Sequence, residues 1–322
     1  MQHQEAALEQ ALEWVDAGQG AVLATVIDTW GSAPRRTGAQ LVVSGFGAME
    51  GSVSGGCVEG AVVIEALEAL AAGEMRQLEY GVSDGDAFAV GLACGGTIRI
   101  LVEPIGPGGM PVDMLRQLVA ARHARQPIAY EVALDGGARR LSKDTHTDRF
   151  RKDRSGLSKD GSRFIAIHNP PLRLMVVGGV HIAQYLVNMA KSTGFDPYVI
   201  DPRDAFGSPA RFPQAQVINE WPDAALRDLG LDARSALVLL THDPKLDDPA
   251  IQTALGADPF YIGALGSSRT HASRKARLAE AGFADSRISR IHGPVGLDIG
   301  ASGPAEIAVA IMAQIIQTLR QA

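Results

Sequence analysis

The chain has 322 residues, 46% apolar and 20% charged, with a net charge of −6 and a pI near 5.8. That length fits about two domains, each able to bury its own core. There is no long basic run, which argues against nucleic acid as a partner. No apolar stretch is long enough to span a bilayer, which argues against a membrane protein.

Residues 1–19 are acidic and amphipathic, unlike a signal peptide with its basic start and apolar middle, so the expected compartment is the cytoplasm. Within that stretch, residues 4–17 read as a helix with Leu8, Ala11, Leu12 and Val15 on one face and Gly18 as its C-cap. Residues 21–27 and 40–43 read as strands separated by the turn Gly31-Ser32-Ala33-Pro34-Arg35. Residues 45–56 read as a glycine-rich loop, and a helix is expected from Cys57 to about residue 71. Residues 97–103 are rich in β-branched side chains and read as a further strand. Pro104, Pro107, Gly108, Gly109 and Pro111 break the pattern. A helix is expected over 112–126. Short β segments with a charged loop at 143–160 should then complete the first sheet or bridge the two halves.

From Pro170 the texture changes to apolar runs alternating with helical patterns. Strands are expected at 172–177, 198–200, 216–218, 236–240 and 260–263. Helices are expected at 181–192, 249–255, 269–281 and 304–320. Strands alternating with helices indicate a doubly wound parallel sheet. The fold class is therefore α/β. A Rossmann-like C-terminal domain (169–322) follows an N-terminal α/β domain with glycine-rich loops (1–168). In the last helix Ile307, Ala308, Ile311, Ile315 and Leu319 share a face that should meet the sheet or a partner protomer.

Two features of the C-terminal half point to a nucleotide or phosphate. The first strand runs into Gly178-Gly179 at a helix start, where unpaired amides and the helix dipole favour anions. About 20 residues on, a strand ends in Asp201, the usual place of a ribose-binding carboxylate. The fingerprint reads Gly178-Gly179-Val180-His181-Ile182-Ala183, with Val180 where a second glycine would admit pyrophosphate. At another strand end, Gly266-Ser267-Ser268-Arg269 opens a helix. Arg269 and the local amides fit an anion there, and helix capping by Ser267 or Ser268 beside an exposed arginine fits equally well.

The chain has two cysteines, both in glycine turns rather than apolar runs. Cys57 lies in Gly51-Ser52-Val53-Ser54-Gly55-Gly56-Cys57-Val58-Glu59, at an expected helix N-terminus, where thiolates are favoured. Cys94 lies in Gly91-Leu92-Ala93-Cys94-Gly95-Gly96. No CxxC pair and no Cys/His cluster with zinc spacing is present, and structural disulfides are rare in a reducing compartment. A thiolate in such a turn is a nucleophile, a persulfide carrier or a ligand for a soft metal, against the ordinary alternative of a buried core cysteine. Arg35 adds a cation that either meets a phosphate or pterin oxygen or pairs with a surface acid.

Together, Gly31-Ser32-Ala33-Pro34-Arg35, the Ser54-Gly55-Gly56-Cys57 element and Cys94-Gly95-Gly96 resemble the XdhC/CoxI family of xanthine dehydrogenase accessory proteins. So do Val177 through Ala183, Tyr261-Ile262-Gly263 with Ser267-Ser268-Arg269, and Gly293-Pro294-Val295-Gly296-Leu297-Asp298-Ile299-Gly300. The resemblance spans nearly the whole chain. It implies a molybdenum cofactor chaperone rather than a turnover enzyme. Such a protein holds the molybdopterin-type cofactor while its sulfido ligand is installed, then inserts it into a xanthine dehydrogenase-like molybdenum hydroxylase. That hydroxylase and a cysteine desulfurase are the implied partners.

The candidate metal-touching residues are Cys57 and Cys94. The candidate cofactor-binding residues add Arg35, Ser54, Gly55, Gly56, Gly95, Gly96, Gly178, Gly179, His181, Asp201 and Arg269. The competing reading is an NAD(P)-binding oxidoreductase built on Gly178, Gly179 and Asp201; a third is a pure protein-interaction adaptor. A homodimer is expected because two-fold assemblies dominate soluble oligomers.

Overall fold

The computed structural model describes residues 7–31, 33, 35–81 and 96–321. Contacts divide the chain into two compact units, Met1–Pro170 and Pro171–Ala322.

In the first unit α1 (Ala7–Asp16) leads into β1 (Ala21–Trp30) and the hairpin of β2 (Gln40–Ser44) and β3 (Met49–Gly51). Next come α2 (Glu59–Ala72), β4 (Arg76–Tyr80) and β5 (Thr97–Pro104). The strands form one antiparallel sheet in the order β3-β2-β1-β5-β4. β1 is central and buried on both faces, which explains its near-continuous apolar run. Val22, Ala24 and Val26 pack with Val62 and Ala66 of α2. Leu23 and Ile27 point the other way, toward Leu8 and Ala11 of α1. Two expectations are corrected here. Part of the 45–56 loop is β3, held by backbone pairing of Met49, Glu50 and Gly51 with β2 rather than by an apolar pattern. The helix after Cys57 starts at Glu59, because Val58 is its cap residue.

The rest of this unit holds α3 (Val112–His123), β6 (Ile128–Ala133), β7 (Arg139–Ser142), α4 (Thr147–Lys152), β8 (Gly156–Leu157) and β9 (Arg163–His168). These strands do not extend the first sheet. They pair with one another in a second antiparallel sheet, order β7-β6-β9-β8. Part of the expected charged loop is helical, as α4. The two sheets share one core, in which Leu23 and Leu101 meet Tyr130, Val132 and Phe164. A buried polar link joins them as well. The Tyr130 hydroxyl donates to both carboxylate oxygens of Glu103, at 2.9 and 2.8 Å, and Arg139 Nε donates to Oε1.

The second unit runs β10 (Leu172–Val177), α5 (His181–Ser192), β11 (Phe195–Ile200), β12 (Gln216–Ile218), α6 (Pro222–Leu229) and β13 (Ser235–Leu239). It continues with α7 (Pro244–Gly256), β14 (Tyr261–Ala264), α8 (Ser268–Glu280), α9 (Asp285–Ile288), β15 (Ile291–His292) and α10 (Pro304–Gln321). All six strands are parallel, in the order β12-β11-β10-β13-β14-β15. The winding reverses between β10 and β13, the Rossmann arrangement. Leu172, Leu174 and Val176 face α5 and α10, while Met175 and Val177 face the layer containing α6 and α7. Ala308, Ile311 and Ile315 of α10 are buried in the first of these layers, with Ile307 and Leu319 packed beside them. Among the described residues no helix is long and apolar enough to cross a membrane.

Candidate functional site

Strand direction gathers the N-terminal motifs at one end of the five-stranded sheet. β1 finishes there at Trp30, opposite Thr97 at the start of β5. β2 starts at that end, and β3 returns to it, with Gly51 opposite Leu41. The turn carrying Arg35, the loop carrying Cys57 and Gly96 ahead of β5 therefore all leave the same rim. Gly96 is buried and Arg35 is partly buried. Cys94 and Gly95 lie outside the described residues.

The Cys57 loop is built around a carboxylate. Glu59, the first residue of α2, turns back beneath the loop. Its Oε1 accepts from the Ser52 hydroxyl at 2.7 Å and from the amides of Val53, Ser54 and Gly55 at 3.3, 2.9 and 3.0 Å. Its Oε2 accepts from the Gly56 amide at 2.8 Å and from the Ser54 hydroxyl. Ser54 Oγ in turn accepts from the Val58 amide at 2.9 Å. Burial pushes the Glu59 carboxyl up, but the hydrogen bonds from Ser54 and Ser52 outweigh it and bring the pKa down to about 2. The amides that would attract an outside anion are thus already satisfied by a residue of the same loop. What the loop offers outward is its crest, where Gly55, Gly56 and Cys57 are exposed while Ser54, Val58 and Glu59 are buried.

Gly56 adopts a φ of +112°, and a Cβ there would meet nothing within 4 Å. Its glycine is required by backbone conformation, and the space beside it is open. Ser54 faces inward and supports the loop, so the sequence reading of Ser54 as a cofactor contact is replaced by a role beneath the crest.

Two features of this rim escaped the sequence reading. Trp30 is 49% exposed at the end of β1, a flat aromatic surface beside the turn. A cavity of about 760 Å³ is lined by Asp28, Thr29, Arg36, Arg149, Lys152 and Arg154 among others. Its size lies within the usual range for small-molecule sites, and its lining mixes these basic side chains with the acids Asp28, Asp148 and Asp153. The only signals available were a tryptophan ending an apolar run and basic residues more than a hundred positions downstream, which the sheet order alone brings near. Among the described residues no group of three or more His, Cys, Asp or Glu side chains is placed to hold a metal ion.

The glycine turn of the second unit is closed by its own chain. A Cβ on Gly179 would collide with the Phe206 carbonyl, and one on Gly178, whose φ is +105°, would lie 2.7 Å from Thr241 Cγ2. Asp201 is fully buried. Its Oδ2 accepts from the Gly179 amide at 2.9 Å and from Arg203 Nη2 at 2.8 Å, and its Oδ1 from Arg203 N and Nε at 3.0 and 2.8 Å. Burial raises the Asp201 carboxyl, yet the Arg203 and Gly179 hydrogen bonds hold it below the usual carboxylate range. The ribose role expected of Asp201 is therefore filled by the protein. Arg211 Nη1 also donates to the carbonyls of Gly179 and Phe206, both at 2.6 Å. Val180 fits because it is extended, with a φ of −82°, and needs no glycine. His181 is exposed, its ring 5.6 Å from that of Tyr185. Ser267 caps α8 by accepting from Thr270 N at 3.1 Å, while Arg269 is exposed and lines a cavity.

A Rossmann unit paired with an antiparallel α/β unit that lifts a thiol on a carboxylate-braced glycine loop defines a narrow class of protein. The model of the XdhC and CoxI family matches residues 14–81, and that of the XdhC Rossmann domain matches residues 174–315. The molybdenum cofactor insertion chaperone PaoD of Escherichia coli is 33% identical over 96% of this chain and 86% of its own length. A probable xanthine dehydrogenase subunit of Bacillus subtilis is 30% identical, with 94% of each chain covered. The crystal structure of a protein titled a xanthine dehydrogenase, from Bacillus halodurans, superposes with a TM-score of 0.70 at 27% identity, covering 98% of this chain and 96% of that one. The chain belongs to the XdhC and CoxI family.

Proposed function

We propose that this protein is an accessory factor that binds the molybdenum cofactor as cargo, holds it during sulfuration and inserts it into a xanthine dehydrogenase-like molybdenum hydroxylase. The carrying observation is the exposed Cys57 thiol on a crest whose underside is fixed by Glu59. A soft sulfur is a good partner for molybdenum. Exposed Gly55 and Gly56 let a bulky ligand approach the backbone, and Trp30 offers a face for a flat ring. Arg35, at the same rim, and Arg36, Arg149, Lys152 and Arg154 of the neighbouring cavity supply counter-charge for the anionic cofactor. The insertion chaperone among the relatives supports the same reading.

A carrier must also release its cargo. A thiol exposed on an open rim, rather than buried in a closed cage of ligands, suits transfer to a client. Cys94 is proposed as a second sulfur at this site, and a cysteine desulfurase as the sulfur donor. The test is transfer. Protein loaded with cofactor and mixed with a cofactor-free hydroxylase of the xanthine dehydrogenase type should restore its activity, faster than free cofactor does. Equal rates with and without the protein would reject insertion.

A further inference from the structure

The second unit contains a cationic cavity that neither the glycine turn nor the Cys57 rim explains. It lies at the C-terminal ends of β13 and β14, measures about 250 Å³ and is lined by His242, Asp247, Arg269, Thr270, Ser273, Arg274 and Arg277, with Pro244. In a doubly wound sheet this is the side on which ligands bind. Its centre is Arg274, which is 2% exposed. Arg274 Nη2 donates to the Leu265 carbonyl at 3.1 Å and lies 3.5 Å from Asp247 Oδ2. Its Nε and Nη1 are buried without a hydrogen-bond partner among the described residues. Buried guanidinium N–H groups left unpaired are costly and call for an explanation, a bound ion being one. Burial pushes the Arg274 guanidinium below its usual range despite Asp247, and pushes the Asp247 carboxyl up.

The surroundings add to this. Arg269 is exposed at the cavity mouth, in the first turn of α8. Thr270 and Ser273 bring hydroxyls. Arg277 is held in place by Asp248, through bonds of 2.6 and 2.9 Å. His242, just after β13, takes a left-handed φ of +59°, uncommon for a non-glycine residue though favoured in histidine above most others. The unpaired Nε and Nη1 of Arg274, the exposed guanidinium of Arg269 and the Ser273 hydroxyl offer more donors than a planar carboxylate takes and suit a tetrahedral oxyanion.

We infer that this cavity is a phosphate-binding subsite, with Arg274 as its buried anchor and Arg269 as its outer clamp, taking the phosphate or pyrophosphate of a phosphorylated ligand. The phosphate contact of the Rossmann unit then sits one strand beyond the switch point rather than at Gly178-Gly179. This inference stands apart from the cofactor reading, because it concerns a different unit and a different ligand group.

Calorimetric titration of the full chain with inorganic pyrophosphate, with a nucleoside monophosphate and with a nucleoside diphosphate tests it. Saturable binding is expected, weakened at least about tenfold in Arg269→Ala and in Arg274→Lys, since each loses a forked donor. Cys57→Ala should bind pyrophosphate as the wild type does. Tighter binding of the nucleoside diphosphate than of pyrophosphate would assign the phosphate to a nucleotide; equal binding would assign it to a bare phosphate ester. Arg269 is exposed, so its variant keeps the test decisive even where Arg274→Lys fails to fold. No saturable binding by the wild type, or equal binding by wild type and Arg269→Ala, would overturn the inference.

Discussion

Glu59 holds Ser54 twice, through its amide at 2.9 Å and through its hydroxyl, so the residue that starts α2 also fixes the loop that presents Cys57. Glu59→Gln puts an amide group among donors that need acceptors. Stability should fall by about 2–4 kcal/mol, read from urea denaturation, because several buried donors lose a charged partner. Cofactor retention should fall with it although Cys57 is intact. Normal retention by a folded Glu59→Gln protein would show that the brace is irrelevant to binding.

The same carboxylate gives a pH signature. Its folded pKa of about 2 lies below the ordinary 4.5. A depressed carboxylate stabilises fully above the unfolded value, and that contribution is lost as pH falls from 4.5 toward 2. Wild-type stability should therefore drop more steeply over that interval than that of Glu59→Gln. Parallel profiles would contradict the assignment.

Trp30 is half exposed, so Trp30→Ala should change stability by less than about 0.5 kcal/mol. Cofactor affinity should weaken about tenfold, as expected for a lost aromatic stack. Quenching of the Trp30 fluorescence on cofactor addition, absent in the variant, is the direct readout.

Gly179→Ala should destabilise the second unit by more than about 2 kcal/mol, because the new methyl meets the Phe206 carbonyl, a backbone atom that cannot swing aside. Thermal unfolding followed by circular dichroism checks this. A variant as stable as the wild type would mean that the 203–212 segment is not seated on the turn.

Tyr130→Phe removes the hydroxyl that both Glu103 oxygens accept. A loss of about 1.5–3 kcal/mol is expected for a hydrogen bond to a charged, buried partner. Phosphate binding by the second unit should not change, since Tyr130 lies in the core of the first.

The Rossmann unit was the more legible half, because each buried parallel strand is a compact apolar run and each helix repeats with its own period. What escaped there were the short helices α6 and α9, the two-residue strand β15, and the true partner of Asp201. A carboxylate at the end of the second strand reads as a ribose ligand, and only the fold shows Arg203 and Gly179 occupying it. In the first unit β3 and β4 were missed because edge strands carry little apolar signal: in β4 burial merely alternates between partial and none. The second sheet was misassigned for a related reason, since pairing partners of short antiparallel strands are not written in any one of them. The motif around Cys57 was legible as chemistry, but the role of Glu59 was not, because its partners are mostly backbone amides that only the folded loop turns toward it.

The central claim is that Cys57 holds the molybdenum cofactor. It is tested most directly by purifying wild type and Cys57→Ala without oxygen from a molybdenum-replete host. Bound molybdenum is then measured by elemental mass spectrometry, and bound pterin by fluorescence after oxidation. The account predicts both in the wild type and neither in the variant, with circular dichroism unchanged because Cys57 is exposed. Full retention of molybdenum and pterin by Cys57→Ala would contradict it.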